Sequence, residues 1–195
     1  MGRPRFENAD FIAAARAIAD ARGPAGVTID SVTQRLKAPK GSFYYRFASR
    51  DALLGELWLS IVLDYQVGFL AALDAGDGLE AALHAPAWAR AHMEEARILL
   101  LHNRRDFAHG DWPASLKRGA SEQAQRLESA VADFAQRAFG LACADELRRA
   151  QFALVEAPIA AIKRHLERRE PPPALVDELI TRTYHAILGG RAAEH

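Results

Sequence analysis

Residues 28–47, TIDSVTQRLKAPKGSFYYRF, constrain this chain more than any other stretch. Thr28 suits a helix cap. Ile29, Val32 and Leu36 follow at helical spacing and give a short helix one apolar face. Lys37, Ala38 and Pro39 interrupt it, and Pro39 suits the first turn of a second helix. The spacing predicts that second helix from Pro39 to near Phe47. Phe43 and Phe47 are four apart, so both face inward and hold it down. Lys40, Ser42, Tyr44, Tyr45 and Arg46 are left facing out. Two short helices joined by a tight turn make a helix-turn-helix, whose second helix fits the major groove of duplex DNA. The outward set supplies an ammonium, a guanidinium and three hydroxyls, which suit phosphate oxygens and base edges. A plainer reading makes the tyrosines half-buried packing and the charges a solvated face.

Charge bears on that choice. The 195 residues carry no net charge, which excludes a globally basic nucleic-acid binder. The balance hides an asymmetry. Residues 1–50 hold nine Lys/Arg and four Asp/Glu, a net +5, and residues 51–195 hold sixteen and twenty-one, a net −5. A basic head on an acidic body is what a DNA-reading head with a separate sensing body shows. The single cysteine, Cys143, excludes an internal disulfide framework and a Cys-rich zinc site, and fits a reducing compartment. The N-terminus lacks the apolar run of a signal peptide, and no uninterrupted apolar run approaches the ~20 residues of a membrane span. The expectation is a soluble cytoplasmic protein with no membrane partner.

At Thr28, Ile29, Val32, Leu36, the run Pro39–Phe47 (PKGSFYYRF), and then Ser49, Arg50, Leu53 and Leu54, the sequence resembles the TetR/AcrR family of transcriptional regulators. The likeness covers about residues 8–58; beyond it only helical texture and size agree. The turn position the family usually fills with Gly is Lys37, which in a left-handed conformation costs about 1–2 kcal/mol over Gly. The family's frequent Lys after Ser49 is Arg50, which keeps the charge. The resemblance implies an all-α fold of about nine helices. It implies a helix-turn-helix domain at 1–48 and a helical regulatory domain at 49–195 for ligand binding and dimerisation. It implies a ligand-responsive repressor that binds a palindromic double-stranded DNA operator as a homodimer, through its last two helices, and is released by a small-molecule effector. Lys40, Ser42, Tyr44, Tyr45 and Arg46 would contact DNA, and Thr28, Lys37 and Arg50 would hold phosphates.

The rest of the chain reads as helices. Gly2-Arg3-Pro4-Arg5 is a basic arm that could enter a minor groove. Asn8 or Asp10 caps a first helix with the stripe Phe11, Ile12, Ala15, Ile18 and Ala19, ended by Gly23-Pro24. Ser49 caps a long apolar helix to about Ala75. A helix from Leu79 to about His92 is kinked or split at Pro86. Another runs from Glu94 to Asn103. Trp112 and Pro113 open a long amphipathic helix to Gly140, and Asp145 opens one to about Arg169 that Pro158 bends. Pro171-Pro172-Pro173 stops it. The last helix, Ala174 to Leu188, has an apolar stripe wide enough for burial both inside the subunit and against a partner.

No HExxH, GxSxG, Walker loop or GxGxxG is present. No cofactor, catalytic residue or metal site is expected; His92 near Glu95 reads as a solvated pair. Candidate lining residues for an effector cavity are Trp58, Tyr65, Trp88, His92, Phe107, Trp112, Phe152 and Glu156, although each also fits a simple core role. Glu156 stands in an apolar run, FALVEAPIAAI, and a carboxylate there needs a partner. Two other classes remain open from sequence: a helical protein-interaction module, and an enzyme with an incidental helix-turn-helix.

Overall fold

A computed structural model describes residues 6–107, 112–140 and 143–189. The basic arm at residues 2–5 lies outside the described residues. The described residues form helices joined by short turns and loops, with no strand among them. The elements are α1 (Asn8–Arg22), α2 (Ile29–Leu36), α3 (Lys40–Tyr44), α4 (Arg50–Asp74), α5 (Gly78–Ala91), α6 (Met93–Leu101), α7 (Arg104–Phe107), α8 (Ala114–Phe139), α9 (Ala144–Gln151), a π-helical turn (Phe152–Glu156), α10 (Ala157–Glu167) and α11 (Ala174–Leu188). The all-α expectation stands.

The chain forms two compact units, residues 1–62 with 94–120, and 63–93 with 121–195. In the first, α1 contributes Phe11, Ala14, Ala15, Ile18 and Ala19 to the core, joined by Val27, Val32, Phe43, Phe47 and the start of α4. The cap of α1 is Glu7, one residue before the expected Asn8; its N–H donates to Asp10 Oδ2 at 2.6 Å. Gly23 (φ 72) ends the helix in a backbone region open to glycine. Two ion pairs tie α1 to α6. Arg97 Nε donates to Asp20 at 2.7 Å, with side chains only 13% and 9% exposed, and Arg16 meets Glu95 at 2.5 Å.

In the second unit α5, α10 and α11 pack on one another and on the π-turn. Ala81, Ala82, Ala85 and Ala89 are all buried, so small side chains let the neighbours of α5 come close. The helix is not split at Pro86, which lies inside it. Arg90 ties its end to the proline loop and to α11, donating to Pro172 O at 2.8 Å and to Asp177 at 2.9 Å. At Pro158 the chain does more than bend. A proline ring clashes with the carbonyl four residues back. Here the turn before it widens, and Ala157 N–H donates to Phe152 O, five residues back. The π-turn moves the backbone out of the way, and Pro158 then sits in the first turn of α10.

By length and composition alone α4 could cross a membrane, although the sequence offered no such candidate; half of that window is buried within the protein. Its charged and polar residues are spread enough to break any uninterrupted run, yet the apolar total is high.

Candidate nucleic-acid interface

The reading element forms as its residues dictate. Thr28 Oγ1 accepts from Ser31 N–H at 3.0 Å, and Ser31 Oγ accepts from Thr28 N–H at 2.9 Å, a reciprocal cap on α2. Lys37 (φ 52, ψ 39) ends α2 in the left-handed region, the conformation in which a lysine carries the cost stated above. Ala38 N–H then donates back to Thr33 O at 2.9 Å, closing the helix end in a Schellman-type turn. Pro39 precedes α3, whose regular part spans Lys40–Tyr44; Tyr45 and Arg46 continue as a turn to Phe47.

Aromatic packing pins α3. Phe43 and Phe47 are fully buried, their rings 5.6 Å apart and each 5.9 Å from Phe11. Tyr44 and Tyr45 stay out, 59% and 84% exposed. The tyrosines are therefore not half-buried packing residues. Tyr44 leans edge-on against Phe43 at 5.6 Å, which fixes its ring. Ser42 is half-buried, and Lys40, Lys37 and Thr28 are exposed on the same reading element. Gly41 is exposed, its φ is ordinary, and a Cβ there would meet nothing within 4 Å. Neither backbone strain nor packing demands a glycine at this position.

Two arginines proposed from sequence for DNA are engaged in the fold. Arg46 Nη1 donates to Ser42 O at 3.1 Å, its other amino group donates to Phe6 O, and the guanidinium lies 5.8 Å from the Phe11 ring centre. Arg50 Nε and Nη2 donate to Val27 O (2.5 Å) and Pro24 O (2.8 Å), and Nη1 meets Asp51 at 3.0 Å. Arg46 ties the end of α3 to Phe6 ahead of α1, and Arg50 ties the start of α4 to the connection between α1 and α2.

Sequence inspection missed Asp30. Its carboxylate, on the first turn of α2, accepts from Lys40 Nζ at 2.5 Å, with side chains 72% and 64% exposed. This hydrogen bond and charge raise the lysine pKa above its ordinary value. No spacing rule links residues on two helices joined by a turn, so nothing in the sequence announced the pair.

The eight candidate lining residues fall into separate groups. Trp58 and Trp112 lie 6.0 Å apart, and Trp112 Nε1 donates to Phe107 O at 3.1 Å in the first unit's core. Tyr65, Trp88 and His92 cluster in the second unit, where Trp88 stands edge-on to Tyr65 at 5.2 Å and stacks with His92 at 5.4 Å. Trp88 Nε1 donates to Asp64 at 2.8 Å. His84 Nε2 donates to Tyr65 O at 2.8 Å, and burial lowers its pKa. The Tyr65 hydroxyl is buried without a hydrogen-bond partner among the described residues, as is Gln66 Oε1, and burial raises the tyrosine pKa. Phe152 is exposed on the π-turn, and Glu156 is paired with Arg148, which supplies the partner its apolar surroundings required. His92 and Glu95 have separate partners, Trp88 and Arg16.

These features define a helix-turn-helix head of a DNA-binding regulator. Residues 11–57 match the family described as bacterial regulatory proteins, tetR family. The match covers the head and the start of α4, so the head is similar to the DNA-binding domain of that family of bacterial regulatory proteins. The whole fold is shared with solved structures. A protein assigned to the TetR family from Shewanella sp. PV-4 has a TM-score of 0.66 at 15% identity, covering 95% of this chain and 97% of that one. One from Mesorhizobium loti MAFF303099 has a TM-score of 0.60 at 16% identity, covering 93% and 95%. The fatty acid degradation regulator FadR from Bacillus halodurans has a TM-score of 0.65 at 11% identity, covering 94% and 99%. No curated protein sequence matches significantly.

Proposed function

We propose that this chain is a ligand-responsive transcriptional repressor of the cytoplasm. A head at 1–48 reads a palindromic operator. A body from residue 49 dimerises through its last two helices and binds a small molecule that releases the DNA. The observation that carries the reading is the division of α3: Phe43 and Phe47 are buried while Tyr44 and Tyr45 stand in solvent beside Lys40. Lys40, Ser42 and Tyr45 would choose bases, Tyr44 the backbone, and Thr28 and Lys37 phosphates; Arg46 and Arg50 would hold the loops beneath them.

Dimerisation is supported by apolar side chains left uncovered on these helices. Leu175 and Leu179 on α11 are 59% and 50% exposed, and Phe152 on the π-turn is 42% exposed. A separate groove of about 490 Å³ is lined by Arg148 and Arg149 of α9, Phe152 of the π-turn, and Ala186 and Ile187 at the end of α11. Two copies related by a two-fold axis would set their α3 helices about one DNA turn apart, ~34–36 Å, or somewhat more. Effector binding is supported by the buried, unsatisfied Tyr65 hydroxyl and Gln66 carbonyl, since such groups cost free energy until something pairs with them.

Selection from a pool of random duplex DNA tests this. The expected result is an enriched palindrome whose capture Tyr45→Ala and Lys40→Ala each reduce at fixed salt, with circular dichroism unchanged. Sedimentation should give a dimer that Leu179→Arg splits. No enrichment over the starting pool, or a strict monomer, would overturn the proposal.

A further inference from the structure

We propose that Asp30 is an electrostatic attenuator of DNA binding: it occupies the Lys40 ammonium in the free head and so suppresses indiscriminate attraction to phosphate. The inference rests on the DNA-reading function above and concerns its regulation. Asp30 is an acidic side chain on a face that otherwise offers hydroxyls and cations. It has no role in burying apolar surface, being 72% exposed. Its carboxylate is held on the ammonium at 2.5 Å across the turn between α2 and α3.

The consequence follows from ion counting. A free lysine that meets a phosphate releases a condensed counterion, and each such contact contributes about 0.9 to the slope of log K against log salt. A lysine already neutralised by a carboxylate exchanges one anion for another, with no such gain. On random DNA, where phosphate attraction supplies nearly all the affinity, this loss falls on the whole interaction. At a specific site a base edge that needs an ammonium donor recovers Lys40 from Asp30. The pair therefore lowers background binding more than specific binding. Asp30 is a positioning residue that acts through Lys40.

The experiment measures anisotropy of a labelled random-sequence duplex of about 30 base pairs from roughly 50 to 200 mM KCl. Wild type, Asp30→Asn, Asp30→Ser, Lys40→Gln and the Asp30→Asn/Lys40→Gln pair are compared. Each aspartate variant should bind more tightly at low salt. Its slope should steepen by about 0.9 per engaged head, equal to a further ~3.5-fold loss over this fourfold range. The gain should vanish in the Lys40→Gln background, and Asp30→Glu, titrated alongside as the conservative variant, should keep wild-type behaviour. A merely structural effect would move melting temperature without changing the slope. Wild-type titration with normal salt dependence but no change in either aspartate variant overturns this inference alone. A gain that persists in the Lys40→Gln background also overturns it, because Asp30 would then act without Lys40. If wild type shows no salt-dependent association, the DNA reading falls and this inference with it.

Discussion

Replacing Lys37 by glycine should make the protein more stable and a weaker DNA binder at once. Lys37 holds φ 52 and ψ 39 at the end of α2, with its N–H bonded to Gln34 O at 3.2 Å. A side chain in that region costs about 1–2 kcal/mol. Glycine removes this strain but gains about 0.4–1 kcal/mol of freedom in the unfolded chain. The net expectation is about 0.5–1 kcal/mol of added stability, or roughly 2 °C in Tm for a chain of this size. Lys37→Ala is the control: it keeps the strained backbone, loses the same exposed charge, and should move stability by less than about 0.5 kcal/mol. Urea titrations of the three proteins measure the difference. The DNA titration should show the opposite sign, with both variants losing about one unit of salt slope if Lys37 meets a phosphate. The reasoning is refuted if Lys37→Gly is no more stable than Lys37→Ala.

Gly41→Ala should leave the fold intact or gain about 0.5–1 kcal/mol from helix propensity, while weakening binding to the selected operator; equal operator affinity would show that nothing approaches this bare position. Arg97→Ala should cost roughly 3 kcal/mol in denaturant unfolding, because it removes the cation paired with the Asp20 carboxylate, which is only 9% exposed. Phe47→Ala should cost about 3–5 kcal/mol by the same assay, since the ring is buried against Phe11 and Phe43. The lowered pKa of His84 means the unfolded chain takes up that proton first as pH falls below the ordinary 6.5. Unfolding free energy should therefore drop from about pH 7 toward pH 5, and His84→Gln should flatten the part of that slope due to this residue.

Local chemistry made the head legible. Thr28, Phe43, Phe47 and the punctuation at Lys37–Pro39 act within one or two helical turns, so spacing alone located them; the left-handed turn at Lys37 is raised only through the resemblance, as the position where Gly is usual. The roles of Arg46 and Arg50 were hidden because their acceptors, Phe6 O, Val27 O and Pro24 O, are backbone atoms brought near only by folding. Asp30 was hidden for the same reason. In the body, aromatics such as Trp58 and Trp88 read equally as cavity lining or core, and apolar periodicity does not say which cluster a ring joins; Trp88 is buried and Trp58 half-buried. Glu156 looked isolated in its apolar run because its partner, Arg148, lies eight residues away, a separation that helical pairing rules do not reach.

The widened turn at Phe152–Glu156 also settles a problem of phase. Glu146, Ala150, Leu154, Pro158, Ile162 and Leu166 are all buried, one every four residues. In an unbroken α-helix each step of four overshoots a full revolution by about 40°, so a stripe this long would wind away from its neighbours. A π-turn carries more residues per revolution and runs the error backward. Deleting one residue between 152 and 156 would therefore rotate everything downstream by about 100°, swinging Ile162 and Leu166 out of the interior while leaving composition almost untouched.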